Sequence, residues 1–546
     1  MRALTRLEAT RHPRLLEVDA RAWVAGGSAR AGRAIGLADV AADDIERIVD
    51  LGFDLVWLTA TWKIGTQSRR MWRATPWMRE QRAALVPDGT DDDIEGSPDA
   101  VADYAPARSV GGEAGLRVLR RRLAGAGIGL ILDFVPNQTA TDHPWVRQHP
   151  ERYVQANEEQ RWVDPDAYFE VRSEGRHWIA HGRDPNFPPW RDTAQLDHRR
   201  ADVRRAMIQK LRDVATTCDG VVCRMAMLIL DDVFRATWAE RSVQPPDAAA
   251  TLQSGEFWWH AATEVRQAYP QFLLIGEAYW GSEWRLQRLG FDYTFDKPLL
   301  DRLLADDPGS VLAHLRADED YQRRSLRYLE QRSEAPIAAR VGLARHRAMA
   351  LTAATAPGML LLSEGQLVGS RGHVPTQIGR HPAEPPDDTI VDLYARLMHA
   401  TEDEVFRLGQ AIRIDPQAAW PGNMTHEGML ARLWVGPHRH FRLTVVNLAP
   451  YPAQGFVPLL VSEFAGKQIH LEDLLGPSTY VRPGDDLLAR GLYLDVPAYG
   501  CHLFRISRTA TRRGRGRPRV TPRDRDASSP AARLTEWPAG TGHRPA

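Results

Sequence analysis

Between about residue 14 and residue 400, short apolar runs alternate with stretches whose apolar positions recur at helical spacing. Runs at residues 15–23, 53–58, 127–134, 220–227, 272–278, 291–295, 326–330 and 358–362 have the length and composition of strands. Eight such strands interleaved with amphipathic helices predict an α/β chain closed into a (β/α)8 TIM barrel. The longest gap follows the third strand. Residues 138–197 are rich in Trp, Pro, His and Asp and show little helical period, so they read as a small inserted domain. After about residue 415 the pattern shortens, and alternating runs at 430–435, 442–447, 455–460 and 492–503 predict a C-terminal antiparallel β-sandwich. The expected organisation is a barrel from 1–137 and 198–410, an insertion at 138–197, a sandwich at 411–508 and a basic, disordered tail at 509–546. In that tail Arg, Gly, Pro, Ser and Ala leave too little apolar content to build a core.

Composition narrows the partners more than the chemistry. At 546 residues the chain is too long for a single core. Its 70 basic residues balance 70 acidic ones, so no global charge draws it to nucleic acid or to a membrane. The start, Met1-Arg2-Ala3-Leu4-Thr5-Arg6, has no apolar leader, and no stretch has the length and hydropathy of a membrane span. The three cysteines, Cys218, Cys223 and Cys501, are odd in number and scattered, which points to a reduced, cytoplasmic chain without disulfides. Cys and His show no metal-ligand spacing.

The strand ends carry the candidate chemistry. Asp133-Phe134-Val135-Pro136-Asn137 closes strand three and Gly220-Val221-Val222-Cys223-Arg224 strand four. Gly276-Glu277-Ala278-Tyr279 closes strand five, and Arg327-Tyr328-Leu329-Glu330-Gln331-Arg332-Ser333-Glu334 strand seven. Gly182-Arg183-Asp184-Pro185, Phe187-Pro188-Pro189-Trp190 and Gly365-Gln366 with Pro382-Ala383-Glu384-Pro385-Pro386 accompany them. In this order and spacing they resemble the α-amylase family, glycoside hydrolase family 13, over nearly everything up to about residue 508. The resemblance implies a retaining α-glycosidase design. One carboxylate attacks the anomeric carbon and a second, about 5–5.5 Å away, protonates the leaving oxygen. Carried over by position, Glu277 is the acid/base, and Asp133 and Asn137 are kept. The nucleophile position, in a stretch where relatives read Gly-x-Arg-x-Asp, holds Arg224, and the supporting Arg is Val222. Ser333 stands at the third carboxylate, Gln138 and Arg332 at two hydroxyl-binding His positions, and Asp99 where relatives usually place a sugar-stacking Tyr.

These replacements bear on the reaction together. A guanidinium that keeps its proton cannot attack an anomeric carbon. A general acid works best when burial and a second carboxylate hold its proton, and Arg224 reverses that setting. Asp219 lies at the wrong end of strand four, and Asp231 and Asp232 lie beyond it, which leaves Glu330 and Glu334 as the nearest spare acids. Glu277 as half of a structural ion pair with Arg224 or Arg332 fits the sequence equally well. Trp62, Trp72 and Trp77 after strand two, and Trp145, Trp162, Trp178 and Trp190 in the insertion, are sugar-platform candidates, although loop tryptophans more often anchor packing. No cofactor is expected; calcium on Asn137 and nearby Asp residues is the one metal the resemblance brings in. Arg513-Gly514-Arg515-Gly516-Arg517-Pro518-Arg519 resembles an AT-hook, so the 512–519 segment is the one candidate nucleic-acid contact.

Three readings follow. The first is a catalytically inactive amylase-like protein that binds an α-glucan or related oligosaccharide through Asp133, Asn137, Gln138, Arg224 and Arg332, or serves as a partner subunit. The second is an active α-glycosidase or transglycosylase using Glu277 with a recruited carboxylate such as Glu330. The third is a nucleic-acid-associated protein localised by its basic tail.

Overall fold

A computed structural model describes residues 11–243 and 255–510. Eight parallel strands close into a barrel: β1 (Arg14–Asp19), β2 (Leu55–Thr59), β3 (Gly129–Phe134), β4 (Gly220–Cys223), β5 (Leu273–Gly276), β6 (Tyr293–Phe295), β7 (Ser325–Arg327) and β8 (Met359–Ser363). Each strand pairs with its sequence neighbours, and β8 closes on β1. Each of the eight predicted runs overlaps one of these strands. Helices such as Gly112–Gly125, Ala201–Ala215 and Leu343–Ala354 cover the outer face, which is why the strands are apolar on both sides.

Most predicted runs are longer than their strands, and the two at 15–23 and 220–227 overshoot the strand end for a local reason. The run at 15–23 ends at Asp19, whose side chain accepts the N–H groups of Arg21 and Ala22 and so starts the helix Ala20–Ala31. The run at 220–227 ends at Cys223. Met225 is left-handed, with φ of 47°, and Ala226–Ile229 is a 3-10 turn. That turn is apolar because it is buried; the Trp258 indole N–H donates to the Ala226 carbonyl at 2.8 Å.

Parallel pairing places register partners on the same face of the sheet. Glu17 lies beside Trp57, Asp133 beside Val222, and Val222 beside Ile275. Two residues beyond Val222 and Ile275, Arg224 and Glu277 return to that face. Glu17, Asp133, Arg224 and Glu277 therefore meet at the C-terminal mouth of the barrel.

Between β3 and β4, Gln138–Ala140 pairs with Thr193–Gln195, and Arg176–Ala180 forms the centre of a three-stranded sheet with Gln155–Ala156 and Tyr168–Arg172. After the barrel, a six-stranded antiparallel sheet runs in the order Gln410–Ile414, Met429–Val435, Phe441–Asn447, Cys501–Ala510, Lys467–Asp473 and Thr479–Pro483. It faces a three-stranded sheet of Gln417–Ala418, Ala453–Val457 and Leu492–Val496 across a core that includes Leu433, Leu443, Val457, Leu494 and Phe504. The predicted run at 492–503 is two strands. A turn at Pro497–Gly500, with Tyr499 at φ of 54°, sends the chain from one sheet to the other. The last strand continues to Ala510, two residues past the expected boundary at 508. Residues 511–546, with the 512–519 segment, lie outside the described residues.

The sandwich shares a continuous core with the barrel through Leu430, Trp434, Val446 and Leu503. The Trp434 indole and Arg432 guanidinium both donate to the Thr355 carbonyl. Cys218, Cys223 and Cys501 are buried and free. Among the described residues no helix is long and apolar enough to cross a membrane.

Candidate functional site

Arg224 occupies the centre of the barrel mouth. Its Nε lies 3.5 Å from Glu277 Oε2 and 3.5 Å from Asp99 Oδ1, and its guanidinium carbon is 5.8 Å from the centre of the Trp57 ring. Burial works against its charge, but Glu277, Asp99 and Asp133 outweigh burial and hold the pKa above the ordinary arginine value. A cation is therefore fixed at the mouth throughout the working pH range.

Glu277 is buried, and both of its carboxylate oxygens have donors. Tyr279 Oη donates to Oε1 at 2.8 Å and the Met225 N–H to Oε2 at 2.9 Å. Asp133 is held similarly: Trp57 Nε1 donates to Oδ1 at 3.0 Å and the Ala60 N–H to Oδ2 at 3.1 Å. Ala60 and Met225 are both left-handed residues with a Cβ, at φ of 55° and 47°. Such a conformation costs about 1 kcal/mol or more. Here each one turns a backbone N–H onto a buried carboxylate at the end of a barrel strand. Burial raises the Asp133 pKa to about 6, with Arg224 opposing and Asp99 assisting.

The other positions read from the sequence separate into distinct environments. Asn137 sits in a buried amide network, donating to Gln138 Oε1 at 2.7 Å and Gln195 Oε1 at 3.1 Å while its own Oδ1 accepts from Gln195 Nε2 at 2.9 Å. Its side chain is thereby committed, and among the described residues no group of three or more His, Cys, Asp or Glu side chains is arranged to hold a metal ion. Among the described residues, Asn137 and its neighbours therefore do not fit a calcium site. Arg332 pairs with Asp19 on β1 and donates to the Ile378 carbonyl, and Ser333 is exposed on a turn. Arg224, not Arg332, is the ion-pair partner of Glu277. Glu330 accepts from Ser363 Oγ at 2.6 Å and from the Ile337 N–H at 2.7 Å, and burial raises its pKa to about 7. Asp219 lies at the opposite end of the barrel, paired with Arg120 and accepting the Leu130 N–H. Asp231 and Asp232 begin a helix and pair with Arg204 and Arg285.

The tryptophans divide as well. Trp62 is buried and donates to the Asp133 carbonyl, Trp72 donates to Asp192, and Trp178 lies between Arg161 and Arg176. Trp77 and Trp162 are exposed.

Sequence reasoning did not single out Glu17 and Asp19, the two acids of β1. Glu17 is buried and faces Arg224, Arg332 and Asp133; burial raises its pKa to about 8, against the pull of the two arginines. The signal was two acids two residues apart within the apolar run Leu15-Leu16-Glu17-Val18-Asp19, a spacing that puts both on one face of a strand. Glu17 and Asp19 border a cleft of about 110 Å³ between the ends of β1, β7 and β8, which Glu330, Gln331, Arg332 and Glu334 also line.

This architecture matches known structures over nearly its whole length. An α-amylase from Lactobacillus plantarum superposes with a TM-score of 0.63 at 18% identity, covering 92% of this chain and 99% of that one. A maltogenic α-amylase from Thermotoga neapolitana gives 0.62 at 18% identity, covering 91% and 99%. The Geobacillus thermoleovorans α-amylase, solved in complex with acarbose, gives 0.58 at 14% identity, covering 91% and 99%.

The chain has the fold of the α-amylases.

No protein-family model matches the sequence, and no curated protein matches it significantly. The likeness thus lies in the α-amylase fold. What faces Glu277 at 3.5 Å is a guanidinium.

Proposed function

We propose that this chain is a non-hydrolytic protein on the α-amylase fold that binds an oligosaccharide, of α-glucan or related type, at the barrel mouth. The observation that carries the reading is the placement of Arg224 between Glu277 and Asp99. Retaining hydrolysis requires an unencumbered carboxylate on each side of the scissile bond. Here both Glu277 oxygens are engaged by Tyr279, Met225 and Arg224, and the side chain that faces it is a guanidinium, not a second carboxylate. A mouth with fixed donors and acceptors on a rigid barrel remains suited to gripping hydroxyl groups. In support of a sugar ligand, the Geobacillus amylase carries acarbose in its crystal structure.

The reading in which Glu277 works with a recruited Glu330 finds less support. Glu330 is held by Ser363 and Ile337 and borders the cleft between β1, β7 and β8. Incubation with maltooligosaccharides from maltose to maltoheptaose, followed by calorimetry and product chromatography on one sample, tests the proposal. Heat of binding without new products is the expected result. Reducing-end release that disappears in Glu277→Gln overturns it. Salt-dependent DNA binding lost on truncation after Ala510, with no sugar binding, would instead support the tail-directed reading.

A further inference from the structure

A cleft of about 590 Å³ opens between the sandwich and the N-terminal ends of β7 and β8, where Gln322 and Pro357 line it. Arg432, on the strand Met429–Val435, also lines it and is only 4% exposed. Of the eight buried arginines among the described residues, seven pair with a carboxylate and Arg432 does not. Its Nη1 donates to the Thr355 carbonyl at 2.6 Å, while Nε and Nη2 have no partner among the described residues. Thr355 caps the helix Leu343–Ala354, so its carbonyl offers only the partial negative charge of a helix C-terminus. Burial lowers the Arg432 pKa to about 10, still far above neutral, so a whole cation is set against a fraction of a charge. Burial, with the charge of Arg432 added to it, also lowers the pKa of Arg327, the guanidinium that Asp296 holds, to about 9. Arg413 is the register partner of Arg432, which places two like charges opposite each other on one face of the sheet, an unfavourable pairing. Three carboxylates line the cleft as well, and none answers Arg432. Asp415 is shared by Arg316 at 3.1 Å and Arg413 at 3.5 Å, and Glu319 pairs with Arg323 at 3.3 Å. These two and Glu427 are exposed, so water and salt screen them, whereas the buried guanidinium is screened far less.

We propose that this cleft binds a small organic oxyanion, its charged head on the Nε–Nη2 edge of Arg432 and its body against Leu312, Pro357 and Ile414. That edge of a guanidinium presents two parallel N–H donors, which fit a carboxylate and a phosphate monoester alike. Leu312, Pro357 and Ile414 are half-buried on the walls of the cleft, so they favour an apolar body behind the head. Arg316 and Arg413 add positive charge nearer the solvent, moderated by the Asp415 they share. A ligand so held touches the sandwich through Arg432 and the helix Pro308–His314 through Leu312, and thereby links the two domains. The cleft lies at the opposite end of the barrel from Glu277 and Arg224, so this inference stands independently of sugar binding at the mouth.

The test titrates four probes calorimetrically into the full chain at pH 7: phenyl phosphate, benzoate, benzyl alcohol and inorganic phosphate. At least one of the two aromatic anions is expected to bind with a Kd of about 1 mM or tighter, and about tenfold or more above benzyl alcohol in affinity. Binding of phenyl phosphate alone assigns a phosphate head, and binding of benzoate alone a carboxylate. Arg432→Met keeps the apolar stem and removes the charge, and should weaken the anion about tenfold or more. Asp415→Asn, at an exposed position, removes the carboxylate that Arg316 and Arg413 share and should tighten the anion about threefold. That second variant decides the matter if Arg432→Met does not fold: an affinity that does not rise then overturns the inference. So does benzyl alcohol or inorganic phosphate binding as tightly as the aromatic anions, no binding of either aromatic anion, or an affinity that Arg432→Met leaves unchanged.

Discussion

Removing the guanidinium at the barrel mouth tests whether Arg224 is part of the structure there. Arg224→Leu keeps most of the apolar stem and deletes the charge that Glu277 and Asp99 share. At 3.5 Å the Coulomb attraction to Glu277 is about 5 kcal/mol at an effective dielectric of about 20. Desolvation of both groups offsets part of it, so the pair's net contribution is smaller. The loss on truncation is not, because Glu277 stays buried with only Tyr279 and Met225 as donors. Asp99 is half-buried and rehydrates. The expected cost of Arg224→Leu is about 3 kcal/mol, at the low end for breaking a buried pair because the guanidinium keeps some solvent contact. Glu277→Gln should cost less, since Asp99 still pairs with the arginine. The double variant should cost little more than Glu277→Gln alone, a coupling of about 2 kcal/mol. Urea unfolding followed by circular dichroism, with the four proteins compared at a common m-value, measures the cycle. A coupling below about 0.5 kcal/mol would refute the claim that Arg224 and Glu277 form one buried unit.

The remaining predictions concern other parts of the frame. The Glu17 carboxyl is raised from 4.5 to about 8 on folding, so the native state holds a proton that the unfolded state has lost, and stability falls as pH rises through that window. Below about pH 6.5, His12, His198 and His381, whose pKa values burial lowers to between about 3 and 4, act in the opposite direction, so the comparison belongs between pH 6.5 and 8. There Glu17→Gln should flatten the urea midpoint's pH dependence by up to about 1.4 kcal/mol per pH unit; an unchanged slope would show that Glu17 is not buried as described. Gly358, at φ of 116°, leaves room for no side chain, since a Cβ there would lie 2.1 Å from the Ser325 carbonyl oxygen. Gly358→Ala should cost about 3 kcal/mol or more, and a soluble variant with wild-type melting temperature would contradict the packing of β7 against β8. At the closed end of the barrel, Asp54 pairs with Arg407 and accepts the Arg14 N–H, so Asp54→Asn should lower stability by about 3 kcal/mol while leaving sugar titrations unchanged.

The barrel was legible because its determinants are local. Eight apolar runs separated by helical stretches admit few closures, and strand pairing in chain order is the default for βα units. Strand lengths were less legible, because a buried turn such as Ala226–Ile229 is as apolar as a strand, and only the left-handed Met225 marks the break. At the site, the pairing of Glu277 with an arginine could be read from the sequence as one alternative, though not which arginine. Arg224 and Arg332 were equivalent candidates on sequence spacing. The choice depended on the register of β4 against β5, which sets Arg224 beside Glu277, while the chain after β7 carries Arg332 to Asp19 on the far side of the mouth. Glu17 and Asp99 entered the site for the same reason: they come from β1 and from the segment after β2, far from Arg224 in sequence and adjacent only once the barrel closes. Apolar periodicity, a property of neighbouring residues, fixed the strands and helices. The electrostatic character of the mouth is a property of charges brought within a few ångströms by closure, and only the folded chain determines it.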